Sequence, residues 1–299
     1  METIKEQWLI FVSTPIYLCF IGIEILISHW RKQQKYALKD TFINVYLMVL
    51  NSILDLSFRS LHVALFFYCY QFAIVQWNNK LFYWVILFVV EDFLYYWLHR
   101  FDHEIRLFWA VHVTHHSSKF FNFTVGFRSS VFQPLYRFIY FLPMPFLGFQ
   151  PFDILFAYAA TQIWGIFVHT ELIQKMGWLE YVFVTPSHHR VHHASNAKYL
   201  DKNMGMFLII WDKIFGTFQA ELPSSTYQNI QYGLTNNVTN QHPLHIVFHE
   251  WKQILADIHQ PNLTFAQKFK YIFGKPGYSH DNSRKTSKQL QELEVENEF

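Results

Sequence analysis

Residues Trp8 to Trp30 form an almost wholly apolar stretch, interrupted by Pro15, Glu24 and a few Ser, Thr and His. Leu81 to Leu98 repeats the pattern, with Glu91 and Asp92 as its charges. A bilayer crossing needs about 20 such residues, so both stretches predict transmembrane helices. Thr41 to Val75 is also apolar but is broken by Asn51, Asp55 and Arg59, which predicts one long kinked helix or two shorter pieces. Pro134 to Val168 carries Pro143, Pro145 and Pro151 in its middle and reads as a helical hairpin. The first stretch does not read as a cleavable signal: METIKEQ has one Lys and two Glu, and no small-residue cleavage site follows. These lengths weigh against a soluble helical protein with buried core helices.

Basic residues suggest an orientation. Arg31, Lys32, Lys35 and Lys39 follow the first apolar stretch, and the positive-inside rule puts that loop in the cytoplasm. The next block then leads outward and the Leu81 stretch returns, delivering His99 to the cytoplasmic surface. A hairpin over 134–168 keeps everything after it on the same side. The expected fold is an all-α integral membrane protein of about four transmembrane helices with a cytoplasmic helical cap. No linker appears, so residues 1–278 read as one membrane-embedded domain with its histidine core at about 80–234. The polar stretch 279–299 reads as a mobile or frayed tail.

Composition narrows the class. Phe, Tyr and Trp number 33, 17 and 10, and charged residues make up 15%, against about a quarter in soluble domains. A net charge of +2 with no basic stripe argues against nucleic acid. Cys19 and Cys69 sit in apolar runs, with no CxxC to suggest a zinc ribbon.

The chemistry lies in the histidines. They cluster as HRFDH (His99, His103), HVTHH (His112, His115, His116) and HHRVHH (His188, His189, His192, His193), with His169 alone in FVHTEL. Neutral imidazole is a common metal ligand. Residues four apart share a helical face, so His99 and His103 project together. Asp92 lies two turns before His99 and is expected to orient its ring. In each His-x-x-His-His the first two rings share a face and the third is swung about 100° round, so one segment can serve two adjacent metals. The repeat suggests a dinuclear centre. Imidazole suits Zn, Cu, Fe and Ni, and spacing alone does not separate iron from zinc. A second grouping, His242, His245 and His249, reads instead as part of an ordinary amphipathic helix.

The strings HRFDHEIRLFWAVHVTHHSSKFFN, FVHTEL, TPSHHRVHHASNAKYLDKN and LIIWDKIFGTFQAE resemble the fatty acid hydroxylase and sterol desaturase superfamily, over about Glu91 to Leu234. HHSS, HTEL, HHRVHH and WDKIFGTF are most similar to its branch acting on alkylglycerols. The resemblance implies a non-haem di-iron monooxygenase that uses O2 to hydroxylate a lipid C–H bond. In that branch the hydroxylated carbon bears an ether oxygen, and the product collapses to an aldehyde and a glycerol derivative. The ligand set implied is His99, His103, His112, His115, His116, His189, His192 and His193, with His169 as a ninth. His188 lies outside the repeat. Glu104 matches an acidic position implied to contact tetrahydrobiopterin, the external electron donor. Asp92 and Glu104 are thus the candidate residues beyond the ligands.

Two departures bear on substrate and reductant: Lys119 stands where the family has an acid, and Met204, Gly205 and Met206 replace Tyr-Gly-Gly. The runner-up activities are hydroxylation or desaturation of a fatty acyl, sterol or carotenoid chain, or zinc-dependent lipid hydrolysis. The expected partners are a membrane lipid and an external reductant. The expected location is the plasma or inner membrane of a bacterium, or the endoplasmic reticulum of a eukaryote.

Overall fold

A computed structural model describes residues 3–297, whose regular elements are all helices apart from two isolated β-bridges. Helix α1 spans Thr3–Trp30, α2 Leu38–Tyr70 and α3 Lys80–Glu104. Among the described residues these three are long and apolar enough to cross a membrane. Their outward faces stay apolar: Phe11, Leu26, Phe42, Leu56 and Leu81 are all exposed. Such a girdle suits hydrocarbon rather than water. The 41–75 stretch is one continuous helix as far as Tyr70, because its polar residues find partners instead of breaking it.

A short α4, Arg106–His116, follows α3 after Ile105, whose extended backbone turns the chain. Three short pieces come next: α5 Arg137–Phe141, α6 Pro143–Phe146 and α7 Pro151–Phe167. The expected hairpin over 134–168 is therefore lopsided. Each proline removes an N–H and restricts the residue before it, so the first arm shatters into α5 and α6. Only α7 is sustained, and its 17 residues reach roughly 26 Å. The structure thus has three spanning-length helices where about four were expected. α7 packs against α1, α2 and α3. Phe66, Leu87, Leu98, Phe141, Met144, Phe149 and Ile154 form the core between them.

The rest of the chain covers the end of the bundle where α3 finishes. It comprises α8 (Pro186–His192), α9 (Ile210–Phe215), α10 (Pro243–Ile258), α11 (Phe265–Phe273) and α12 (Ser287–Asn297). The polar C-terminal stretch is more ordered than its composition suggests. Gln291 donates to the Leu200 carbonyl at 2.9 Å, and Tyr227 donates to Glu294 at 2.6 Å. Polar anchors hold a helix there that buries little apolar surface.

Arg106 ties the cover together. Its side chain is 1% exposed, with Nε 2.7 Å from Glu250 and Nη1 2.6 Å from Asp257, both on α10. Its backbone N–H donates to the Gly274 carbonyl at the end of α11. Removing one member of a buried ion network strands the others, at about 3–5 kcal/mol. Arg106→Ala should therefore lower the thermal unfolding midpoint in detergent by several degrees and loosen α4. A midpoint equal to that of the wild type would show that Glu250 and Asp257 do not need the guanidinium.

Candidate metal centre

α3 carries His99 and His103 past the end of the bundle, one helical turn apart. α4 folds back beside it and brings His112, His115 and His116. His169 follows the end of α7. The third cluster sits on α8, whose start is written in TPSHH. Thr185 is the N-cap, Pro186 occupies the first turn, and His188 closes a capping box with Thr185. His188 is thereby used as a cap and joins neither group of rings described next.

The nine other histidines converge as two groups. His99, His103, His112, His116 and His192 form one, and His115, His169, His189 and His193 the other. Within each group the ligand-capable atoms lie within 4.8 Å of one another. The pairing differs from the expected one. Each His-x-x-His-His gives its outer pair, four residues apart, to one group and its middle ring to the other. His112 and His116 face the first group while His115 crosses to the second; His189 and His193 face the second while His192 crosses to the first. The i,i+4 rows align more closely than i,i+3 on a helix of 3.6 residues per turn.

Backbone carbonyls fix which nitrogen is bare. The Nδ1 atoms of His99, His115, His169 and His192 lie 2.7, 2.9, 2.6 and 3.0 Å from the carbonyl oxygens of Met204, Arg128, Gly165 and Lys202. A carbonyl only accepts, so each Nδ1 carries the proton and each Nε2 presents a lone pair. Those lone pairs point inward. His99 Nε2 lies 3.1 Å from His112 Nε2, and His169 Nε2 lies 3.0 Å from His189 Nε2 and 3.1 Å from His193 Nε2. The Nε2 atoms of His103 and His192 are buried without any partner. Burial, and then repulsion between neighbouring rings, drives His112, His116, His189, His192 and His193 well below the usual imidazole range. His115 is pushed down to about 4, by burial first, with the Arg128 charge adding to it.

Neutral rings with orphaned nitrogens facing each other are what a cation site requires. The donor count bears on which cation: the first group brings five imidazoles together, one more than a tetrahedral site takes. Neither cysteine belongs to either group.

The supports come from distant segments. Asp92 does not hold His99. Its carboxylate accepts from the Phe207 and Leu208 N–H groups at 3.0 Å and from Trp211 at 2.9 Å. Three N–H donors outcompete an imidazole that already has the Met204 carbonyl. Asp92 acts one step back, on the loop that carries that carbonyl. Asp212 grips the other end, accepting from the N–H groups of Met204 at 2.6 Å and Gly205 at 2.8 Å. Gly205 is forced: a Cβ there would lie 2.6 Å from the Leu208 carbonyl oxygen and 2.9 Å from Asp212. Asp201 and Asn203 both adopt positive φ, which Asp and Asn tolerate best among residues with a Cβ. They flank Lys202, whose carbonyl meets His192.

Other supporting residues escaped the sequence reading. Arg128, fully buried, donates to the Thr114 carbonyl, Ser117, Asp40 and Asn44, while its own carbonyl holds His115. Asp102, fully buried, lies 3.7 Å from His112 and accepts from Gln133 and Tyr136. Glu24 inside α1 accepts from Thr170, beside His169, and from the Phe123 N–H. The signal for Glu24 was present, since an acid within a spanning helix is functional by default. Glu104 lies apart from both groups and accepts from Arg100 at 2.9 Å. His245 and His249 stack 6.2 Å apart on α10 and join no group.

A cavity of about 630 Å3 reaches the histidines, lined among others by His112, His115 and His169. Leu18 on α1 and Val45 on α2 also line it and are 65% and 42% exposed, so two spanning-length helices contribute apolar side chains to it.

Residues 84–217, which hold all nine converging histidines, match the fatty acid hydroxylase family model. The match covers the histidine core and under half of the chain. It is 34% identical to an alkylglycerol monooxygenase of Homo sapiens, over 91% of this chain and 60% of that protein. A Caenorhabditis elegans alkylglycerol monooxygenase is 33% identical over 84% of this chain and 48% of its own length. An ornithine lipid hydroxylase of Rhizobium tropici is 32% identical over 45% of this chain and 35% of its own. The chain thus spans about 60% of the human relative. No solved structure matches it.

Replacing Asp92 by Asn would set an amide NH2 against N–H donors that now meet a carboxylate oxygen. The expected loss is about 2–3 kcal/mol, with the Met204 carbonyl displaced from His99. Thermal unfolding and bound-metal content should fall together. Full metal content at wild-type stability would show that the loop is fixed without Asp92.

Proposed function

We propose that the protein is an O2-dependent lipid monooxygenase with a di-iron centre, hydroxylating the carbon beside an ether oxygen in an alkylglycerol. The observation that carries this is the pairing of two converging histidine groups with a cavity that reaches them and is lined by apolar residues of spanning-length helices. Two irons held by the nine nitrogens would supply O2 activation and electron transfer. The protein's share is to bury the rings, aim their lone pairs and admit an alkyl chain. The overall change takes O2, two electrons and two protons, inserts one oxygen into the C–H bond and releases water. The resulting hemiacetal breaks its C–O bond to give a fatty aldehyde and free glycerol.

Five imidazoles in one group favour iron over a tetrahedral zinc hydrolase. Fatty acyl, sterol or carotenoid oxidation remains the alternative within the same superfamily. Tetrahydrobiopterin is the proposed external donor, near Glu104. The active site is assigned to the cytoplasmic side. Lys35, in the basic loop, pairs with Glu171 at 2.7 Å, and its carbonyl accepts from Asn122, so this loop lies at the histidine end.

Detergent-purified protein should contain two irons per chain. His115→Ala and His192→Ala should each lower occupancy of both positions, since each ring comes from the segment that mainly serves the other group. Membranes given an alkylglycerol, O2 and tetrahydrobiopterin should form fatty aldehyde. Turnover without O2, or a single tight zinc, would refute the assignment. A retained chain bearing a hydroxyl or a double bond would move it to the alternative. Glu104→Gln should raise the pterin requirement several-fold at unchanged iron content, because an amide offers half the acceptor capacity. Loss of iron in that variant would make Glu104 structural instead.

A further inference from the structure

The polar residues that interrupt α2 remain unexplained by the metal centre. Asn51, Asp55 and Arg59 recur every fourth residue, placing them on one face of a spanning helix. Ionisable groups at that depth face a protein interior or cavity and mark ligand paths. Asp55 accepts from Arg137 of α5 and lies 3.7 Å from Arg59. Arg137 lines the cavity that reaches the histidines. Its guanidinium carbon sits 4.7 Å from the Tyr158 ring centroid. Asp55 engages Nη2 only, and a guanidinium has five N–H donors.

Polar groups share that lining. Asn51, Tyr158 and Gln162 line the cavity together with Arg137, His112, His115 and His169. The Tyr158 hydroxyl and the Gln162 amide nitrogen are buried without hydrogen-bond partners. Asn51 donates to the Ser130 carbonyl at 2.8 Å, and Ser130 Oγ lies 3.2 Å from His112 Nδ1.

Resting on the reading above, we propose that Arg137, held by Asp55 and stacked on Tyr158, is the subsite for the hydroxyl-bearing end of the substrate, a neutral glyceryl diol. Arg137 supplies N–H donors to the cavity, and the Tyr158 hydroxyl and Gln162 amide that line it with Arg137 lack partners. A diol both donates and accepts, and matches such a set. The apolar chain then runs along the same cavity toward Leu18.

The test is equilibrium binding to metal-loaded protein in nanodiscs, without turnover. The probes are 1-O-hexadecylglycerol, hexadecyl methyl ether and 1-O-hexadecylglycerol-3-phosphocholine. The wild type should favour the diol over the methyl ether by about tenfold or more. Arg137→Lys keeps a charge for Asp55 but loses the planar fork, and Gln162→Leu leaves the Asp55 pair intact. Both should shrink that ratio several-fold while metal content and methyl ether binding stay at wild-type values. An unchanged ratio in both would reduce Arg137 to a staple between α2 and α5. If Arg137→Lys does not fold, Gln162→Leu decides alone. Tighter binding of the phosphocholine form by the wild type would overturn the neutral diol. A diol that binds selectively yet is never oxidised would sink the proposed activity and leave the subsite standing.

Discussion

Four N–H to carbonyl hydrogen bonds, one from each of His99, His115, His169 and His192, underlie much else in this protein. Each fixes a proton on the outer nitrogen and so commits the inner one to a lone pair. Lone pairs brought within 3.0–3.2 Å of their neighbours repel unless something positive stands among them. Burying neutral imidazoles without partners is itself costly. The fold meets that cost with buried carboxylates that grip loops rather than rings: Asp92 and Asp212 on the 204–208 loop, and Glu24 beside Thr170. Asp102 and Asp201 come nearer, 3.7 and 3.4 Å from Nδ1 of His112 and His103, on the outer rather than the inner nitrogens.

Much of this was legible in the sequence. The spans around Trp8 and Leu81 show in apolar length alone, and the paired His-x-x-His-His shows its nature in spacing. Other features depend on contacts that no local pattern contains. Asp92 points at residues 207, 208 and 211, more than a hundred positions on, and nothing in EDFLYYW says so. The lopsided 134–168 segment was half visible: its prolines announced a break, but not that one arm would fail to propagate. Arg128 looked like any loop arginine because its partners on α2 lie more than eighty residues back. The ordered α12 depends on individual hydrogen bonds to Leu200 and Tyr227, which composition does not register.

The membrane helices and the cover divide the work by chemistry. The helices offer hydrocarbon-compatible surface outside and a cavity of mixed apolar and polar lining inside. The cover excludes water from the rings and, through Arg106, fastens α4 to α10 and α11. α3 belongs to both, since it starts among lipid-facing residues at Leu81 and ends with His99 and His103.

The crossing of His115 and His192 has a thermodynamic consequence. Each repeat holds rings for both groups, so an ion that orders one repeat has already met part of the entropic cost of ordering the rings for its neighbour. On the proposed two-ion reading, occupation of the two positions would be mutually reinforcing, and singly filled protein would be the scarce species on a titration.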